Sequence, residues 1–90
     1  MPLIQEQEAI DVLEAEAVSH NLIVWNDEVN TFEHVINVLI KVCKHDKEQA
    51  EQCTILIHYK GKAQVKKGSY EKLKPMKEAI LDAGINATIE

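Results

Sequence analysis

The chain has 90 residues, 46% of them hydrophobic and 28% charged, with a formal net charge of -5 at pH 7. A chain of this size buries roughly 60–65% of the surface its unfolded form exposes, enough for one two-layer core and too little for an enclosed active site with a lid. The acidic balance argues against nucleic acid, whose phosphates call for a clustered basic surface, and no apolar run approaches the ~18 residues that span a bilayer.

Residues 1–19 read as a flexible acidic tail carrying Glu6, Glu8, Asp11, Glu14 and Glu16, followed by a folded domain over 20–90. A secretory leader would place Lys or Arg and then an apolar block at the start, so a cytoplasmic protein is expected. In that reducing compartment Cys43 and Cys53 are expected to be free core thiols rather than a disulfide.

Asn21 to Trp25 is a short apolar, β-prone run that fits a buried central strand. Asn26 to Asn30 supplies turn chemistry. Asn30 with Glu33 has capping-box spacing, which predicts a helix starting there. Phe32, Val35, Ile36, Leu39, Val42 and Cys43 then repeat on one helical face that ends near Lys44. A second helix is expected after Asp46, with Gln49 at the box position and Gly61 closing it. On propensity alone, Ile55 to Tyr59 fits a strand equally well; the cap and the terminal glycine favour helix. Lys62 to Lys66 alternates as a strand. Ser69 to Ala83 carries a third apolar repeat closed by Gly84, but Pro75 argues for a turn first and a helix that begins with Pro75. Ile85, Ala87 and Ile89 form a closing strand. The order is β-α-α-β-α-β, an α+β two-layer sandwich with three helices on one face of a three-stranded antiparallel sheet.

The sequence holds no Gly-x-Ser-x-Gly and no phosphate-cradling glycine loop. Cys43 and His45, two apart, do not have zinc-ligand spacing, so neither a catalytic centre nor a cofactor or metal is expected. Two features remain. Asn26-Asp27-Glu28 sits at a strand-to-helix turn, where, on these three residues alone, plain turn and N-cap chemistry is the favoured reading over a site. Thr54 and His58 share one face a turn apart, where a satisfied core histidine is the simpler reading. Lys60, Lys62, Lys66, Lys67, Lys72, Lys74 and Lys77 form a basic run interrupted by acids, either a solvated face or a protein-docking surface.

Taken together, Asn26-Asp27-Glu28, Val35, the stretch Ile57-His58-Tyr59-Lys60-Gly61-Lys62-Ala63 and the final Ala87-Thr88-Ile89-Glu90 resemble the ClpS adaptor family over about residues 21–90. The resemblance implies the same sandwich, shared with the C-terminal domain of the ribosomal stalk protein. It also implies a non-enzymatic adaptor that binds N-degrons, free α-amino termini beginning with Leu, Phe, Tyr or Trp. Such an adaptor delivers them to the N-domain of a ClpA- or ClpC-type AAA+ unfoldase, which feeds ClpP. By position, Asn26, Asp27 and His58 would hold the α-amine, with Glu28 as a second acid. Phe32, Val35, Thr54, Ile57 and Ile85 would line the side-chain pocket, and Glu71, Lys72 and Lys74 would help dock the unfoldase. Phe32 and Thr54 stand where the family commonly has methionine. The rival expectation is a stalk-like interaction domain that shares the fold without amine recognition.

Overall fold

The computed structural model describes residues 19–90. Of the expected tail, only Ser19 is among them, and it belongs to the first strand; residues 1–18 lie outside the described part. The elements are β1 (Ser19–Trp25), α1 (Phe32–Cys43), α2 (Lys47–Lys60), β2 (Lys62–Ser69), α3 (Tyr70–Asp82) and β3 (Ala87–Ile89). β1 is central in an antiparallel sheet of order β2-β1-β3. Strand alternation sends Leu22 and Val24 into the core, both fully buried. The β1–β2 register runs Leu22 to Lys66 and then Ile23 to Gln64, which leaves Val65 unmatched in a bulge and buried in the core. Beyond β3, reciprocal bonds between Asn21 and Glu90 and the bond from Trp25 N–H to the Asn86 carbonyl extend the ladder.

The expected helical faces pack on this sheet. α1 buries Val35, Val38, Leu39 and Cys43 at helical spacing. Truncating a residue as enclosed as Leu39 to Ala costs about 2–5 kcal/mol. Its cap is Thr31, whose hydroxyl accepts from His34 N–H at 3.1 Å, one residue later than expected. Asn30 is diverted because its side chain is bonded elsewhere, as described below.

α2 is a helix, as the cap and glycine indicate. Asp46 Oδ1 accepts from Gln49 N–H at 2.7 Å, and Gly61, at φ 88°, takes the left-handed position that a side chain would strain. α2 buries Ala50, Thr54 and Ile57, while Ile55, Leu56 and Tyr59 stay exposed.

α3 differs from the expectation. It runs unbroken from Tyr70 through Pro75 rather than starting at the proline. Ser69 caps it by accepting from Lys72 N–H at 3.2 Å, and the fully buried Leu73 anchors its first turns to the core. Those contacts outweigh the one intrahelical bond, to the Glu71 carbonyl, that Pro75 cannot make. β2 extends to Ser69, three residues past the alternating run, and β3 begins at Ala87, leaving Ile85 as a buried residue of the preceding connection. Both cysteines are free. Burial raises the thiol of Cys43 to about 11 and that of Cys53 in the same direction.

Candidate functional site

A cleft of about 370 Å³ opens where the β1–α1 turn, the start of α1, the second half of α2 and the α3–β3 connection meet. Its buried floor is Val35 from α1, Thr54 and Ile57 from α2, and Ile85 from the connection. Thr54 and Ile57 reach it together because residues three or four apart share a helical face. His58, next on that face, is exposed at the rim, so the core-histidine reading does not hold for it. Phe32 forms the lip, 42% exposed, with its ring edge-on to His58 at 5.1 Å between centroids. Asn26, Asp27 and Glu28, from the β1–α1 turn, line the cleft as well.

The turn is built around Asp27. Its Oδ1 accepts from the backbone N–H groups of Val29 and Asn30, each at 3.0 Å, and from Asn30 Nδ2 at 3.0 Å. Among the described residues, Oδ2 accepts only from Asn30 Nδ2, at 2.8 Å, so acceptor capacity remains on that oxygen. These donors, the Asn30 backbone N–H foremost, hold the Asp27 carboxyl below the usual carboxylate range, so it is ionised at neutral pH. Asn26 N–H donates to the Gly61 carbonyl at 2.8 Å, fastening the turn to the end of α2 beside His58.

On the other side, Asn30 Nδ2 also donates to the Gly84 carbonyl at 2.8 Å, and His34 Nε2 donates to the Ala83 carbonyl at 2.8 Å. These two bonds position the connection that carries Ile85. The turn reading and the site reading of Asn26-Asp27-Glu28 are therefore compatible. One oxygen of Asp27 folds the loop, and the other keeps a free lone pair.

The structure brings all nine expected residues of the amine and pocket sets into this one cleft. Glu71, Lys72 and Lys74 lie exposed on the first turns of α3 and do not line it. Trp25, Asn30 and Thr31 line it as well and were not anticipated, although an Asn three residues after an Asp is the spacing at which Asp27 and Asn30 bond. Trp25 is held by its Nε1–H, which donates to Thr88 Oγ1 at 2.9 Å, and by the Lys62 ammonium 4.8 Å from its ring centre. Among the described residues, no three His, Cys, Asp or Glu side chains gather as metal ligands, and no helix is long and apolar enough to cross a membrane.

Fold and cleft define a class: a small α+β sandwich with an apolar-floored recess and a carboxylate at its mouth. The family model for "ATP-dependent Clp protease adaptor protein ClpS" matches residues 15–88. The ClpS adapter of Corynebacterium aurimucosum is 32% identical over 99% of this chain and 80% of its own length. That of Thermosynechococcus vestitus is 34% identical over 94% of this chain and 92% of its own. The fold is also that of Agrobacterium tumefaciens ClpS2, solved bound to L-phenylalaninamide, with a TM-score of 0.74 at 22% identity over 80% of this chain and 94% of that one. The chain belongs to the ClpS family of Clp protease adaptors, which are not enzymes.

Proposed function

We propose that the cleft binds the free N-terminus of proteins whose first residue is Leu, Phe, Tyr or Trp, and that the domain delivers them, in the cytoplasm, to the N-domain of a ClpA- or ClpC-type unfoldase for degradation by ClpP. Asn26, Asp27 and His58 receive the α-amine, with Glu28 as an adjacent acid. Phe32, Val35, Thr54, Ile57 and Ile85 receive the first side chain. Glu71, Lys72 and Lys74 form part of the unfoldase-docking surface.

The observation that carries this reading is the pairing of an ionised carboxylate, with acceptor capacity left on Oδ2, and a buried apolar floor in one cleft. An α-ammonium has three donors and a positive charge, so it calls for a carboxylate and neutral acceptors. A charge-assisted bond contributes roughly 1.5–3 kcal/mol, and burying a Leu or Phe side chain contributes a further ~1.5–3 kcal/mol. The phenylalaninamide bound by the Agrobacterium relative has the same two chemical parts, a free α-amine and a bulky apolar side chain.

The test is a titration with two peptides that begin with Phe and differ only in α-acetylation. The single tryptophan, Trp25, lines the cleft, so its fluorescence reports occupancy. The free amine should bind at least about tenfold more tightly, a difference of ~1.4 kcal/mol. Equal binding of the two peptides would sink the amine reading. Binding of neither would favour the stalk-like interaction domain.

A further inference from the structure

Within the cleft, the buried lining side chains are Val35, Ile57, Ile85 and Thr54, and Thr54 alone among them is polar. Its hydroxyl proton is already committed, because Oγ1 donates to the Ala50 carbonyl at 2.7 Å. A hydroxyl has one proton and two lone pairs, so this group can offer the cleft an acceptor and no donor. It is only 2% exposed, which raises the worth of any bond made to it and the cost of presenting it with another acceptor.

The depth also matters. Thr54 lies one helical turn from His58, about 6 Å along the α2 axis. That is the distance over which an aromatic side chain extends when its α-amine is held at the rim. The indole N–H of Trp25 does not compete for the acceptor, since it is spent on Thr88.

Building on the proposed reading of the cleft, we propose that Thr54 selects N-terminal aromatic residues that carry a ring donor. These are tyrosine, with its phenolic O–H, and tryptophan, with its indole N–H. Phenylalanine fills the same floor but leaves the Thr54 lone pair unused. With a purely apolar residue in place of Thr54, a tyrosine or tryptophan entering the floor would lose water from its donor with nothing to receive it. The selectivity is therefore a property of one oxygen atom, separable from pocket size.

Calorimetric titration of the full chain and of Thr54→Val tests this, because valine keeps the shape and removes the oxygen. The peptides carry a free amine and differ only in residue one: Tyr against Phe, and Trp against 3-benzothienylalanine, in which sulfur replaces the indole N–H. Thr54→Val should lower the Tyr-to-Phe and Trp-to-benzothienylalanine affinity ratios by roughly five- to tenfold, the worth of one buried hydrogen bond. In each pair the peptide without the ring donor is the reference, so a change in the floor that affects both peptides alike cancels in the ratio. A fall in one ratio alone supports the proposal and identifies the ring that reaches. Unchanged ratios in both pairs overturn it.

Should the variant fail to fold, the native protein decides: equal affinities within both pairs, Tyr with Phe and Trp with benzothienylalanine, overturn the proposal, and a clear preference for the donor-bearing ring in either pair supports it. Failure of every peptide to bind the native protein overturns the reading of the cleft itself, and this inference with it.

Discussion

Asn30 Nδ2 lies 2.8 Å from Asp27 Oδ2, and the same amide donates at 2.8 Å to the Gly84 carbonyl, 54 residues along the chain. One small side chain thus joins the carboxylate at the cleft mouth to the connection that supplies the Ile85 floor.

Replacing Asn30 with Ala should loosen both ends of that bridge. The backbone bonds to Asp27 remain, so its carboxyl should rise toward, without reaching, its ordinary value of 3.8. The sign for stability follows from linkage. A carboxyl whose folded value is depressed contributes stability that is present above the unfolded value and lost as pH falls through the folded one. Asn30→Ala should therefore show a smaller loss of stability below about pH 4 than the native chain. Urea midpoints at neutral and acid pH check this, and faster amide exchange at Ile85 should accompany it. An unaltered acid limb would remove the side chain of Asn30 from the control of Asp27.

Asp27 plays two parts that different substitutions separate. Asp27→Ala deletes the acceptor for two backbone N–H groups and should loosen the turn, so any loss of binding in it is ambiguous. Asp27→Asn keeps an Oδ1 that accepts from those groups and removes the charge. The NH2 that replaces Oδ2 cannot accept from Asn30 Nδ2, so that one bond is lost. The expectation is that the backbone N–H groups of Val29 and Asn30 stay hydrogen-bonded while free-amine peptide affinity falls about tenfold, or ~1.4 kcal/mol. If Asp27→Asn binds as the native protein does, the carboxylate is only a turn residue.

Cys43 gives a signature at the alkaline end. Its thiol is raised from 9.0 to about 11 by burial, so the folded state holds a proton that the unfolded chain has released. Stability from this group is complete below pH 9 and is lost as pH rises toward 11. The loss amounts to roughly 2 kcal/mol over that window, at ~1.4 kcal/mol per unit with allowance for water entry. Cys43→Ala is less stable at neutral pH because of its cavity, but its stability should fall less steeply between pH 9 and 10.5. Parallel curves for the two proteins would show that the thiol is not the group responsible.

Much of the fold was legible because its signals are local. Asp46 with Gln49, the terminal Gly61 and the apolar repeat of α1 each speak for one element, and the structure uses each as expected. The misplaced features are those decided by distant parts of the chain. Asn30 yields the cap to Thr31 because Gly84 captures its amide. His34 looks like an ordinary helix residue until Ala83 is brought to it. Cys43 and His45, a conspicuous pair in sequence, are both packing residues, with His45 Nε2 donating to the Val65 carbonyl at 2.6 Å. The cleft was legible only by resemblance, because it is assembled from four segments that no spacing rule links.

Pro75 offers the sharpest contrast between sequence expectation and structure, and a substitution distinguishes the two. If α3 began at Pro75, the proline would occupy a position whose N–H is unbonded anyway, and Pro75→Ala would slightly destabilise by freeing the unfolded chain, by about 0.4–1 kcal/mol. In the observed helix, which starts at Tyr70, alanine would restore the N–H donor facing the Glu71 carbonyl and relieve the ring's crowding of that group. Pro is about 3 kcal/mol less favourable than Ala inside a helix, so the net expectation after the unfolded-state term is a gain of roughly 1–2 kcal/mol. Pro75 is exposed and its side chain holds no core contact that the change would sacrifice. Thermal unfolding of Pro75→Ala should therefore move upward by several degrees, since ~1 kcal/mol corresponds to about 4–8 °C in a domain of this size. A downward shift would mean that the helix starts at the proline, and the Ser69 cap with its bond to Lys72 would then have to be given up.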